Sequence, residues 1–303
     1  MLGLCASAFL GRAAEYDSRA LVATPAKRAE YLTSKLRALC TNIGPRPAGS
    51  REFDAGAVLI EREMKRALPA VSRDTFRFRR WVPAGDPEFW VDGQRLETYL
   101  AEDSPGTPAQ GIRGKLRKSK DGAYQIVDSE SGKVLAQTGI SEFGRAITMV
   151  HSGHDEIPLF NIGKQDAETL DRAEHAGLPI RVKAEVKWVT GVRTCNVAGT
   201  LPGSSKEEIL VVAHADTKYN TPGANDNTAS LVCMLMMAQA MPGTHPWRTI
   251  TFLATTGEER SFIGAKHYAL TRKQKGTLSD VKVMHQPGFA DLRTQPANCH
   301  DRS

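Results

Sequence analysis

The stretch "EEILVVAHADTKYNTPGANDNTASLVCMLMMAQAM" (Glu207–Met241) decides the fold. It opens with an unbroken apolar run, Ile209 to Ala213, as in a strand buried on both faces. It closes with a strongly apolar helix pattern that carries Asn and Asp at its start, where such residues cap helices. Between the two lies a polar loop through Pro222 and Gly223. "RTITFLATTGEER" (Arg248–Arg260) repeats the buried strand and "SFIGAKHYALTRKQ" (Ser261–Gln274) the helix. The order strand, loop, helix, strand, loop, helix predicts parallel strands with a site at their carboxyl ends.

Upstream, "KRAEYLTSKLRALC" (Lys27–Cys40) and "REFDAGAVLIEREMKRAL" (Arg51–Leu68) carry apolar residues at helical spacing. "TNIGPRPAGS" joins them, its Gly and Pro ending one helix and beginning a turn. Alternation begins at "DTFRFRRW" (Asp74–Trp81). From Pro83 the character changes to short apolar runs separated by Gly, Asp and Ser turns, such as "GAYQIVDS" and "KVLAQTG". One helix pattern, "KQDAETLDRAEHAG", and a strand, "PIRVKAEVKWV", follow. This predicts a β-rich module over 83–190, inserted between a first part of the main domain at 28–82 and a second part at 194–284.

Composition narrows the function classes. The 303 residues carry a net charge of +6. The basic residues are scattered, and the local cluster Phe76–Trp81 alternates apolar and basic, as a half-exposed strand does. A nucleic-acid face needs a continuous basic surface with interleaved aromatics, so no nucleic-acid partner is expected. No apolar run reaches the roughly 20 residues of a membrane span. The N-terminus has an apolar core, Leu2 to Leu10, with small residues at Ala13 and Ala14 but no Lys or Arg before it. Residues 1–20 are expected to be a weak or truncated signal peptide of a secreted or periplasmic protein; the alternative is a helix packed on the domain. Five cysteines without a CxxC pair make neither a zinc ribbon nor a disulfide framework.

On this scaffold His214 and Asp216 follow the first buried strand, Asp226 begins the next helix, and Glu258 and Glu259 follow the second strand. All five emerge at one sheet edge. Four carboxylates and an imidazole gathered there repel unless a cation joins them. An N/O ligand set without thiolate suits zinc. His214 offers a ring nitrogen, and Asp216 is placed to accept the other ring N–H. Asp226, if central, can bridge two metals about 3.5–4 Å apart. One of the adjacent glutamates can ligate while the other takes a proton from water. Each residue also has an ordinary role alone: a structural His, a helix-capping Asp, a charged turn. "HSGHDE" (His151–Glu156) reads as a turn of the inserted module.

"VVAHADT", "PGANDNTAS" and "ITFLATTGEERSFIGAKHYA" together resemble the M28 family of zinc exopeptidases. "IGPRPAGS" and "TCNVAGTLPG" are similar to that family's N-terminal helix–loop and to its strand before the metal domain. "IPLFNIGKQDAETLDRAEHAGLPIRVKAEV" (157–186) resembles the protease-associated (PA) domain often inserted in such enzymes. The resemblance covers about residues 30–283. It implies an α/β fold, a zinc-exopeptidase-type mixed sheet flanked by helices, and a co-catalytic pair of zinc ions. By motif position His214 would ligate one zinc, Asp226 would bridge, Glu259 would ligate the other, Glu258 would be the general base and Asp216 would orient His214. The implied reaction is hydrolytic release of N-terminal amino acids from a peptide substrate.

Two further family ligands, an Asp in a stretch like Ile-Asn-Leu-Asp and a later His, have no counterpart. The strand "LSDVKVM" (Leu278–Met284) gives way to "HQPGFADLRTQPANCHDRS". Codon degeneracy permits His-Gln-Pro-Gly, read with its first base dropped, to encode Ile-Asn-Leu-Asp. The expectation is a frame shift near Met284, an out-of-frame tail at 285–303 and a domain incomplete at its C-terminus, with doubtful activity. The alternative is that Asp291 and His300 replace the lost ligands. Rival functions are a non-catalytic fragment that binds peptide or protein through the PA-like module, a glutaminyl cyclase-type transferase on the same fold, and a carboxypeptidase.

Overall fold

A computed structural model describes residues 17–120, 122–141, 144–147 and 156–287. The signal-like segment through Tyr16, His151 to Asp155 of the "HSGHDE" cluster, and Asp291 and His300 lie outside the described residues.

Two helices lead. In α1 (Pro25–Leu36) the Thr24 side chain accepts the Lys27 N–H, and Pro25 takes the first turn, where no N–H is needed. In α2 (Arg51–Lys65) Ser50 caps the Phe53 N–H, with Glu52 and Asp54 in the first turn and Arg62 and Lys65 in the last. Its Phe53, Ala57, Ile60 and Met64 fall on one stripe and are buried.

The chain then enters β1 (Ala70–Pro83) and passes through eight short strands: β2 (Glu88–Val91), β3 (Gln94–Leu96), β4 (Thr98–Leu100), β5 (Ile112–Lys118), β6 (Tyr124–Val127), β7 (Val134–Ile140), β8 (Leu159–Ile162) and β9 (Ile180–Lys183). These eight form a sheet of their own, in the order β3-β2-β9-β5-β6-β7-β8-β4. Helix α3 (Ala167–Ala176) covers it, burying Leu170 and Ala173 against Phe89, Ile126, Phe160 and Val182.

The chain returns through β10 (Val186–Leu201), β11 (Ser205–His214), helix α4 (Ser230–Gln239), β12 (Arg248–Thr255), helix α5 (Ile263–Gln274) and β13 (Val281–His285). The second sheet runs β1-β10-β12-β11-β13. It is mixed, as expected: β11 pairs parallel with β12 and β13, whereas β10 pairs antiparallel with β1 and β12. Helix α4 is apolar nearly all round because it packs on the sheet and on α1 and α2 together. Leu231, Leu235 and Ala238 share one core with Phe53, Ile60, Met64, Val211 and Phe252. Full burial of one such Leu contributes about 1.5–3 kcal/mol.

Register positions the chemistry. Ala213 pairs with Ala254 and His214 with Thr255, so the carboxyl ends of β11 and β12 finish level. The loops that leave them therefore start side by side.

Candidate active site

His214, the last residue of β11, is almost fully buried. Its Nδ1 lies 3.1 Å from the Asp216 carbonyl oxygen and 3.7 Å from the Asp216 carboxylate. Only a donor can face a carbonyl oxygen, so Nδ1 carries hydrogen. Nε2 then points at Asp226 Oδ1, 3.0 Å away, with Glu258 Oε2 at 3.8 Å. A bare lone pair facing carboxylate oxygens repels them, so a cation has to lie between. In the metal-free chain that cation is a proton. Burial alone would lower the His214 pKa, but the hydrogen bonds to Asp216 and Asp226 outweigh it and lift it to about 10. The same hydrogen bond holds Asp226 below the usual carboxylate range, against the effect of its burial.

Asp216 is buried, and its two oxygens accept the backbone N–H groups of Glu258 at 3.2 Å and Glu259 at 3.3 Å. The sequence placed this carboxylate on the His214 ring; its own carbonyl stands closer to the ring, and the carboxylate fixes the turn that carries both glutamates. Burial raises the pKa of Glu258, with the His214 charge opposing. Glu259, expected as a ligand, pairs with Lys218: Nζ to Oε2 is 2.8 Å, and both side chains are largely buried.

Several residues of the site are not singled out by the sequence reading. Arg46 is fully buried, although loop arginines are normally exposed. Its guanidinium donates to the carbonyls of Leu39, Gly44, Ala215 and Pro222 and to the Thr228 hydroxyl. Its backbone N–H donates to Thr217 Oγ1 while its carbonyl accepts the Thr217 N–H. One side chain thus ties together the loop after α1, the loop after β11 and the start of α4. The other sheet closes the opposite flank. Glu102 accepts the Tyr219 N–H at 3.2 Å, Tyr219 Oη donates to the Leu100 carbonyl at 2.7 Å, and Trp81 Nε1 donates to the Ser104 carbonyl at 2.8 Å. Arg260 pairs with Asp103. Only the Trp and Tyr hydroxyl and N–H groups, which usually find partners when buried, hinted at such contacts.

The donor types fit a divalent metal such as zinc: a buried imidazole nitrogen and carboxylate oxygens, that of Asp226 half-exposed, without thiolate. His214 and Asp226 converge. Among the described residues no three His, Cys, Asp or Glu side chains stand close enough to hold one ion together.

Residues 196–286 match the sequence profile of Peptidase family M28. The chain is 24% identical over 271 residues to aminopeptidase YwaD of Bacillus subtilis (strain 168), covering 80% of this chain and 57% of that protein. It is 24% identical over 270 residues to an aminopeptidase of Pseudomonas aeruginosa (strain UCBPP-PA14), covering 75% of this chain and 50% of that protein. The chain therefore spans about half the length of these relatives. The crystal structure of BSAP, a zinc aminopeptidase from Bacillus subtilis, superposes with a TM-score of 0.66 at 24% identity, over 84% of this chain and 68% of that one. That likeness establishes the shared fold. The matched segment contains all five residues at the strand ends, His214, Asp216, Asp226, Glu258 and Glu259.

Proposed function

We propose that the chain is the catalytic part of a zinc-dependent aminopeptidase that hydrolyses N-terminal residues from peptides. The observation that carries this is the His214 Nε2–Asp226 Oδ1 pair at 3.0 Å, flanked by Glu258, at the carboxyl ends of two parallel strands. The M28 profile and the names of the relatives agree with it.

His214 and Asp226 would hold the ion. When bound, zinc supplies a Lewis acid and lowers the pKa of a water molecule. Glu258 is the proton acceptor: its carboxyl group is half-buried, faces the His214–Asp226 pair, and has its pKa raised by burial toward the range of a working base. Asp216 keeps Glu258 there by holding its backbone N–H, and Asp216's carbonyl fixes the His214 ring. Arg46 holds the loop between β11 and α4.

The module at 83–190 is proposed to be a PA-like insert that walls one side of the cleft, and the Leu2–Leu10 run is proposed to direct export. The test is hydrolysis of aminoacyl-nitroanilides by the purified chain, before and after chelation and zinc return, with zinc measured by atomic emission. Zinc-dependent release is expected. Bound zinc without any hydrolysis, or cyclisation of N-terminal glutamine instead, would overturn the aminopeptidase reading in favour of a binding fragment or a cyclase-type transferase.

A further inference from the structure

Lys218 stands two residues beyond Asp216 on the loop that leaves β11. Its ammonium sits 2.8 Å from Glu259 Oε2, with 16% of the Lys side chain and 8% of the Glu side chain exposed. Its charge also faces the nearby carboxylates of Glu102, Asp226 and Glu258. The backbone on either side of it is pinned. Thr217 exchanges hydrogen bonds with Arg46, and Tyr219 is held by Glu102 and Leu100. The ammonium therefore lies inside the carboxylate cluster, held from both flanks.

A gathering of carboxylates can be neutralised by metal ions or by a protein cation. Here the His214–Asp226 pair faces a position that needs a cation, while the Glu259 carboxylate already has one. A second divalent ion at Glu259 would have to displace a buried ammonium from its partner or sit beside it as a like charge. Lysine suits this place as a compact point charge on a flexible stem.

We propose that Lys218 is a built-in cation that takes the place of a second metal at Glu259, so that the chain binds a single divalent ion at His214 and Asp226. This rests on the reading that the His214–Asp226 pair holds metal. The eight-stranded module takes part, because Glu102, just past its β4, keeps Tyr219, and with it the loop bearing Lys218, against the cluster.

The test is zinc stoichiometry of the full chain, equilibrated in zinc buffers and counted by atomic emission. Wild type and Lys218→Arg are expected to hold one equivalent. Lys218→Met, which keeps the stem and removes the charge, is expected to take a second. Glu259→Gln is expected to keep the wild-type affinity for the single ion within about twofold, whereas loss of even a group that orients a metal ligand typically costs 10–100-fold. Two equivalents in wild type overturn the inference and leave the metal reading standing. No bound zinc in wild type overturns both. A folded Lys218→Met that stops at one equivalent, or a Glu259→Gln affinity loss of tenfold or more, overturns the role of Lys218. If Lys218→Met does not fold, the wild-type count and the Glu259→Gln affinity decide the matter.

Discussion

The two carboxylate oxygens of Asp216 hold the backbone N–H groups of Glu258 and Glu259, 42 and 43 residues further along the chain. One buried acid at the end of β11 thereby sets the turn at the end of β12. Replacing it by Asn leaves one acceptor for two N–H groups. Asp216→Asn is expected to weaken zinc binding by about 10–100-fold, as loss of a group that orients metal ligands does. Competition with a chelator measures this; unchanged affinity would mean that the turn is held by other contacts.

Glu258 faces the His214–Asp226 pair at 3.8 Å without bonding it. Glu258→Gln keeps the size and removes the proton acceptor. The expected outcome is zinc content equal to wild type and kcat lower by about 10²–10⁴, with KM little changed. Loss of zinc in this variant would make Glu258 a ligand rather than a base.

Glu102 gives a pH dependence. Burial raises its pKa from the ordinary 4.5 to about 7, with Lys218 opposing. The unfolded chain releases this proton at lower pH than the folded one does. Stability is therefore favoured below pH 4.5 and falls as pH rises toward 7, by at most about 3 kcal/mol, after which it stays level. Glu258 and Glu259 shift in the same direction, so the difference between wild type and Glu102→Gln isolates the one group. The glutamine still accepts the Tyr219 N–H. Metal-free Glu102→Gln is expected to gain in Tm over wild type at pH 8 and to gain nothing at pH 4. Parallel curves across this range would show that Glu102 is charged at no cost.

Arg46 is the fourth test. Its guanidinium supplies the donors for four carbonyls and a hydroxyl in three loops. Arg46→Met leaves those buried acceptors without partners and is expected to cost about 3–5 kcal/mol in denaturant unfolding. Arg46→Lys cannot span the same set and is expected to recover only part of the loss. Stability within 1 kcal/mol of wild type for the Met variant would mean that water replaces the guanidinium (a buried polar acceptor costs about 1–3 kcal/mol when orphaned).

The five polar residues at the strand ends were legible in the sequence because they follow local patterns. Short apolar runs such as Ile209–Ala213, bounded by turn residues, read as buried strands, and a strand-end residue emerges at the edge of the sheet. The mixed order of the sheet was implied by the family resemblance, whereas β11, β12 and β13 stand parallel as the alternation with helices required. The pattern did not show which atoms meet. Nothing local distinguishes Lys218, which turns inward to Glu259, from a solvated lysine on a polar loop.

What the sequence determined by itself is the α/β scaffold and the set of groups delivered to one edge, because periodicity and motif spacing act within a few residues of each other. The tertiary structure decided how those groups pair: the Asp216 carbonyl on the ring and its carboxylate on the turn, Arg46 inside rather than outside, and Glu102 from another sheet behind the site. These contacts join residues up to 182 positions apart. They exist only once separate elements are packed, and burial then makes each hydrogen bond and each unpaired charge count for more than it does in water.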